Sequence, residues 1–181
     1  MQSDPRTCRG FAGWPTAAFD ILLKLDGEPS MEFREQRRKA REQLVRQPMI
    51  DLLNDLADAD ELYEDFFVWS FHKMIWPWQR QVGVICVRRN LELSLAFDLD
   101  GLDVHGNCWF ADQAGRDRYR HAVDNSSSGE EWRTLLDGLQ GAGFDVSGDV
   151  MKRVPRDYAK DHPRAELLKH RSLHVVRPLG C

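Results

Sequence analysis

The chain has 181 residues, 42% hydrophobic and 30% charged, enough apolar material for a packed core and too much for a wholly disordered chain. No apolar run approaches the roughly 20 residues of a membrane-spanning helix, and the opening Met1-Gln2-Ser3-Asp4-Pro5 lacks the charged start and apolar centre of a signal peptide. These features exclude an integral membrane protein and predict a soluble, cytoplasmic one with a formal net charge of −4.

Along the chain, residues 17–25 read as a helix with Phe19, Leu22, Leu23 and Leu25 on one side, ended by Asp26-Gly27-Glu28-Pro29. Ser30 is the expected N-cap of a long charged helix over residues 30–47, where Pro48 starts the next segment. On it, Arg34, Arg37, Arg38 and Arg41 fall at i, i+3, i+4 and i+7 and predict one cationic, solvated face paired as Glu35 with Lys39 and Arg38 with Glu42. A second amphipathic helix is expected over residues 49–57, carrying Ile50, Leu52, Leu53 and Leu56.

The middle of the chain switches to a period of two. Residues 66–71 are aromatic and β-favouring, residues 81–87 are apolar throughout, and Leu91, Leu93, Leu95 and Phe97 alternate with Glu92, Ser94, Ala96 and Asp98. Asp100-Gly101 predicts a hairpin loop before another strand at residues 102–110. One face of that hairpin would then carry Glu92, Ser94 and Ala96 with His105, Asn107 and Trp109, a polar set that suits either a pocket floor or a covering helix. Helices are expected at residues 112–123 and 130–140, separated by an Asn125-Ser126-Ser127-Ser128-Gly129 loop. An irregular Lys/Arg/Pro loop, a short helix at residues 163–170 and a closing strand at residues 173–176 complete the chain. The fold class is α+β: an antiparallel β-meander packed with N-terminal and C-terminal helices, residues 1–10 forming a flexible N-terminus and residues 11–178 a single domain.

Charge is uneven. From residue 150 on, eight Lys and Arg face three Asp and Glu, which makes a +5 tail and a −9 body. Either the tail lies across an acidic surface or it serves an anionic ligand. Cys8, Cys86, Cys108 and Cys181 form no C-x-x-C pair, and His72, His105 and His121 lack metal-ligand spacing, so no metal is expected. Neither glycine-rich phosphate motif occurs, and no cofactor is expected.

Two stretches carry the candidate chemistry. In Val68-Trp69-Ser70-Phe71-His72-Lys73-Met74-Ile75-Trp76-Pro77-Trp78-Gln79-Arg80-Gln81, two tryptophans flank a proline and must be buried or stack on a ligand. His72 would supply a titratable group there, and Gln79 a neutral hydrogen bond. The Trp76-Pro77-Trp78 loop thus reads as core or as binding surface. In the tail, Lys152 and Arg153 form a two-cation loop able to hold a carboxylate or phosphate. Tyr158 and His162 are placed to relay a proton, and Asp161 or His162 to cap a helix at Pro163.

The tail from Gly148 through Lys152-Arg153-Val154-Pro155-Arg156-Asp157-Tyr158 and Asp161-His162-Pro163 to Lys169 resembles the C-terminal signature of a widespread bacterial family, domain-of-unknown-function family 2461, G-x-x-L-K-R-x-P-R-G-[YF]-x-x-D-H-P-x-x-x-x-L-x-x-K. Phe11-Ala12-Gly13-Trp14-Pro15 is similar to the family's F-x-G-[FW]-P opening, and Glu32-Phe33 stands where its W-F pair opens a long helix. The resemblance covers residues 11–177 and implies an α+β domain with no settled activity. Many members carry R-D-x-R-F-S-x-[DN]-K-x-P-Y-K before the sheet, where this chain has the aromatic run from Phe71 to Arg80. That departure implies a less anionic, more apolar ligand, or none.

Two functions follow as expectations. The first is an enzyme that uses neither metal nor cofactor for acid/base work on a small molecule, namely cyclisation, isomerisation, elimination or hydrolysis. His72, His162 and Tyr158 would be catalytic; Trp76, Trp78, Gln79, His105, Asn107, Trp109, Lys152 and Arg153 would bind substrate. The alternative is a non-catalytic binding or protein-interaction module that uses the arginine face and the basic tail. The acidic body argues against a nucleic-acid partner, no membrane partner is expected, and the sequence leaves the oligomeric state open.

Overall fold

The computed structural model describes residues 10–71, 78–88, 91–110 and 112–180, without the side chains of Arg88 and Trp109. Of the expected flexible N-terminus only Gly10 lies among the described residues. Helix α1 spans Thr16–Lys24 and follows Pro15. Helix α2, Met31–Arg41, is capped as expected: the Ser30 hydroxyl accepts from the Phe33 amide at 3.2 Å. The expected break at Pro48 is absent. Five π-helical residues, Glu42–Arg46, lead without interruption into α3, Gln47–Ala59. A proline lacks the donor for a normal turn and crowds the carbonyl four residues back. The wider π-turn just before it removes that crowding, so the helix continues.

The arginine face is not solvated as expected. Arg41 is 3% exposed and donates to the carbonyls of Trp78 and Arg80 and to Oε1 of Gln81, at 2.8, 3.1 and 3.0 Å. Burial lowers the pKa of its guanidinium to about 10, Glu42 opposing that shift and Arg46 adding to it, so the group stays charged at neutral pH. The Arg34 guanidinium lies 3.3 Å from the Trp78 ring centroid, and that of Arg37 lies 3.2 Å from Phe33. Arg38 alone of the four is exposed, and it pairs with Glu35 rather than Glu42. Glu42 instead accepts from Arg46 and from the Phe71 amide.

Six strands follow: β1 Phe66–Val68, β2 Gln81–Arg88, β3 Leu91–Asp98, β4 Gly101–Trp109, β5 Asp145–Ser147 and β6 Ser172–Gly180. They form one antiparallel sheet in the order β1-β2-β3-β4-β6-β5. The first four make the expected meander. The β3–β4 turn is Leu99-Asp100, one residue earlier than expected. The Asp98 carboxylate accepts from the Asp100 amide at 2.9 Å, and Gly101 opens β4 with φ +107°. Between β4 and β5 lie α4, Gln113–Asp124, and α5, Ser126–Gly141. The serine run expected as a loop is the first turn of α5, because Oδ1 of Asn125 accepts from the amides of Ser127 and Ser128. A short α6, Ala165–Leu168, precedes β6. The α+β class is as the residue pattern predicts.

The chain divides into two compact units. One holds the residues up to Val87, with Ser94–Asp103 and the end of β6. Leu22 of α1, Val45, Met49 and Leu53 of the long helix, and Phe97 of β3 are buried in it. Trp14 stacks on Phe97 with centroids 3.9 Å apart, and its indole donates to the Val45 carbonyl at 2.9 Å. The other unit holds Arg88–Leu93 and Val104–Arg177. In it, α4, α5 and α6 bury Tyr119, Val123, Leu136 and Leu168 with Phe110 and Leu173. No helix among the described residues is long and apolar enough to cross a membrane.

Candidate functional site

Within the second unit, β4 and β6 are sheet neighbours, and side chains two apart on a strand share a face. Ser172 and His174 therefore point to one side of β6, as do His105 and Asn107 of β4. The Ser172 hydroxyl is 3.0 Å from Nε2 of His174, and Nδ1 of His174 is 3.0 Å from Oδ1 of Asn107. Nδ2 of Asn107 reaches Oε1 of Glu92 on β3 at 3.4 Å. At the other end, the Asp149 amide donates to the Ser172 hydroxyl at 3.0 Å.

Both ends fix the direction of this chain of bonds. An ionised carboxylate only accepts, so Glu92 turns the amide nitrogen of Asn107 toward itself and leaves the carbonyl oxygen for His174. Nδ1 of His174 must then carry the ring proton, and Nε2 presents its lone pair to Ser172. A backbone N–H already fills one acceptor position of the hydroxyl, so the serine proton is directed at Nε2. Each group donates to the next, from Asp149 to Glu92.

Local structure explains why Ser172 receives that amide. Strands β5 and β6 pair as far as Ser147 opposite His174. There Gly148 takes φ +154° and comes so close that a β-carbon on it would lie 2.1 Å from the Ser172 carbonyl. Past this kink the amide of Arg171, the residue before β6, donates to the Asp149 carbonyl at 2.7 Å, and the Ser172 hydroxyl accepts from the Asp149 amide.

The tail residues are arranged differently. His162 has both ring nitrogens occupied: Nδ1 accepts from the Arg164 amide at 3.0 Å, and Nε2 lies 3.2 Å from Oδ1 of Asp124. Arg164 donates to the carbonyls of Val123, Asp124 and Asn125, at the junction of α4 and α5. Asp161-His162-Pro163-Arg164 thus fastens the chain to α4. Tyr158 is half-buried against the same core, and burial, followed by the negative charge of Asp124, pushes its phenol up. A cleft of about 480 Å³ is lined by Arg133, Asp137, Gln140, His162, Glu166 and His170, among others. Tyr158, Lys152 and Arg153 do not line it. Lys152 and Arg153 are exposed, while Lys169 pairs with Glu166 and Arg171 with Asp149.

The remaining sequence candidates are spread over the chain. Trp78 belongs to the first unit's core with Leu25 and Phe71, and its indole donates to the Leu25 carbonyl at 2.9 Å. Gln79 donates to the Asp26 carboxylate and the Gly27 carbonyl. His105 is half-buried on β4. His72, Trp76 and the side chain of Trp109 lie outside the described residues. Among the described residues no group of three His, Cys, Asp or Glu could hold a metal ion. Sequence reasoning reached Asn107 but missed Glu92, Ser172 and His174 as site residues. An alternating Ser-x-His on a terminal strand looks like any solvent face until its neighbour strand is known.

Fold and site together define an α+β protein with a serine–histidine–amide–carboxylate relay across three adjacent strands. Residues 91–180 match the family described as conserved hypothetical protein (DUF2461), and the chain belongs to that family. The match includes every residue of the relay and the tail, while the similar Phe11 and Glu32-Phe33 positions precede it. No curated protein and no solved structure matches the chain.

Proposed function

We propose that this protein is an enzyme carrying out acid/base chemistry on a small molecule, within a single α+β domain spanning residues 11–178, with His174 as its general base. The observation that carries this reading is the fixed polarity of the relay: Nε2 of His174 holds a lone pair against a hydroxyl while Asn107 and Glu92 orient the ring. Glu92 also offsets the positive charge that the ring acquires on taking a proton. Both ring nitrogens of His162 are engaged, Nδ1 accepting from a backbone N–H and Nε2 facing the Asp124 carboxylate, so it presents no lone pair to a substrate. Tyr158, with its raised pKa, remains a proton donor at neutral pH. Lys152 and Arg153 are exposed with no hydrogen bond or ion pair among the described residues, which leaves them able to anchor a substrate carboxylate.

The test is turnover of a panel of small esters, lactones and enolisable carbonyl compounds, with and without a carboxylate. His174→Ala should lower kcat/KM about 100-fold or more on any substrate found, and His162→Ala should lower thermal stability while sparing turnover in the fraction that remains folded. Full activity in folded His174→Ala would overturn the reading.

A further inference from the structure

We infer that Ser172 is a nucleophile and that the relay hydrolyses carboxylic esters through an acyl-serine intermediate, an inference that rests on the acid/base reading of His174. A general base alone needs no serine. Here the lone pair of His174 is directed at the Ser172 hydroxyl, 3.0 Å away. An alcohol becomes nucleophilic when an oriented base takes its proton as it attacks, and the three groups needed stand in order: Ser172, His174 and the orienting Asn107. The same roles recur on unrelated folds, so geometry rather than sequence order identifies them. Ser172 is 9% exposed, which limits bulk water at the oxygen.

The step balances with water as the only co-reactant. Oγ of Ser172 bonds to the ester carbonyl carbon while its proton passes to Nε2 of His174. The carbon–alkoxide bond breaks, and the alcohol leaves with that proton. Water then attacks the acyl carbon, giving one proton to Nε2; the bond to Oγ breaks and Oγ recovers the proton. The products are a carboxylic acid and an alcohol. The Asp149 amide, 3.0 Å from Oγ before reaction, is a donor for the negative charge that develops on the carbonyl oxygen. Asn107 and Glu92 are positioning residues, touching the ring and not the substrate.

The experiment is to treat the full chain with a fluorophosphonate and locate the adduct by peptide mass mapping. The expected result is one phosphonylated site, Ser172, labelled about 100-fold more slowly in His174→Ala. Asn107→Ala should also slow labelling and Asn107→Asp, which keeps an acceptor toward Nδ1, should restore part of it; a merely structural role would not separate these two. Wild-type mapping does not depend on whether Ser172→Ala folds. Turnover that requires His174 with no adduct at Ser172 overturns this inference and leaves the acid/base reading standing. Labelling of Ser172 that is as fast without His174 overturns both.

Discussion

Gly148 takes φ +154°, and a β-carbon on it would meet the Ser172 carbonyl at 2.1 Å. Two penalties therefore coincide for any side chain there: a backbone region that suits glycine, and a clash with main chain that cannot rotate away. Gly148→Ala should cost about 2 kcal/mol or more in denaturant unfolding. It should also displace Ser172 from Nε2 of His174 and so slow phosphonylation at that serine. An alanine variant of unchanged stability and labelling would show that the β5–β6 kink does not place the hydroxyl. The glycine itself is visible in the chain as the first residue of the tail signature, but its role is not. That role depends on strand β5, whose three residues are too few for a period to stand out, and on which strand it joins.

At the scale of elements, the long helix shows what periodicity can and cannot say. Spacing correctly places Arg34, Arg37, Arg38 and Arg41 on one side of α2 and Ser30 at its cap. It does not say what stands opposite, and the partners Trp78, Arg80 and Gln81 come from about 40 residues further along the chain. The buried member is the one that matters for stability. Arg41→Ala would strand two carbonyls and an amide oxygen that now share one guanidinium, an expected loss of about 3 kcal/mol. Arg41→Lys should recover only part of this, because an ammonium on a flexible stem cannot reproduce the fork. Arg38→Ala, which removes an exposed pair with Glu35, should change stability by less than about 0.5 kcal/mol. Urea unfolding of the three variants at constant m-value checks the order; equal losses at Arg41 and Arg38 would show that the buried hydrogen bonds carry no special weight.

For the whole molecule, consecutive strands with short turns reveal the β1-β2-β3-β4 meander, whereas insertion of β6 beside β4 has no local signal. The relay depends on that insertion, which is why Asn107 was legible as a polar residue on a sheet face and its partner His174 was not. The family match begins at residue 91, yet the structural divide falls elsewhere: Ser94–Asp103 belongs to the unit that holds α1, α2 and α3. Phe97, 2% exposed, is covered by Trp14 and Phe19, and β3 has β2 as a neighbour. A fragment of residues 91–180 keeps every relay side chain but removes those aromatic partners and leaves β3 as an open, apolar edge. Such an edge invites association, and the loss of Trp14 alone strips an aromatic face from a buried ring. The fragment should therefore show no cooperative thermal transition by near-ultraviolet circular dichroism and should bind a hydrophobic dye, while residues 10–180 melt cooperatively. A cooperative melt of the fragment, with Ser172 still reactive toward the phosphonate, would instead make the first 90 residues dispensable for the site. The expected outcome is the opposite, because the strand that supplies Glu92 continues directly into the core that buries Phe97.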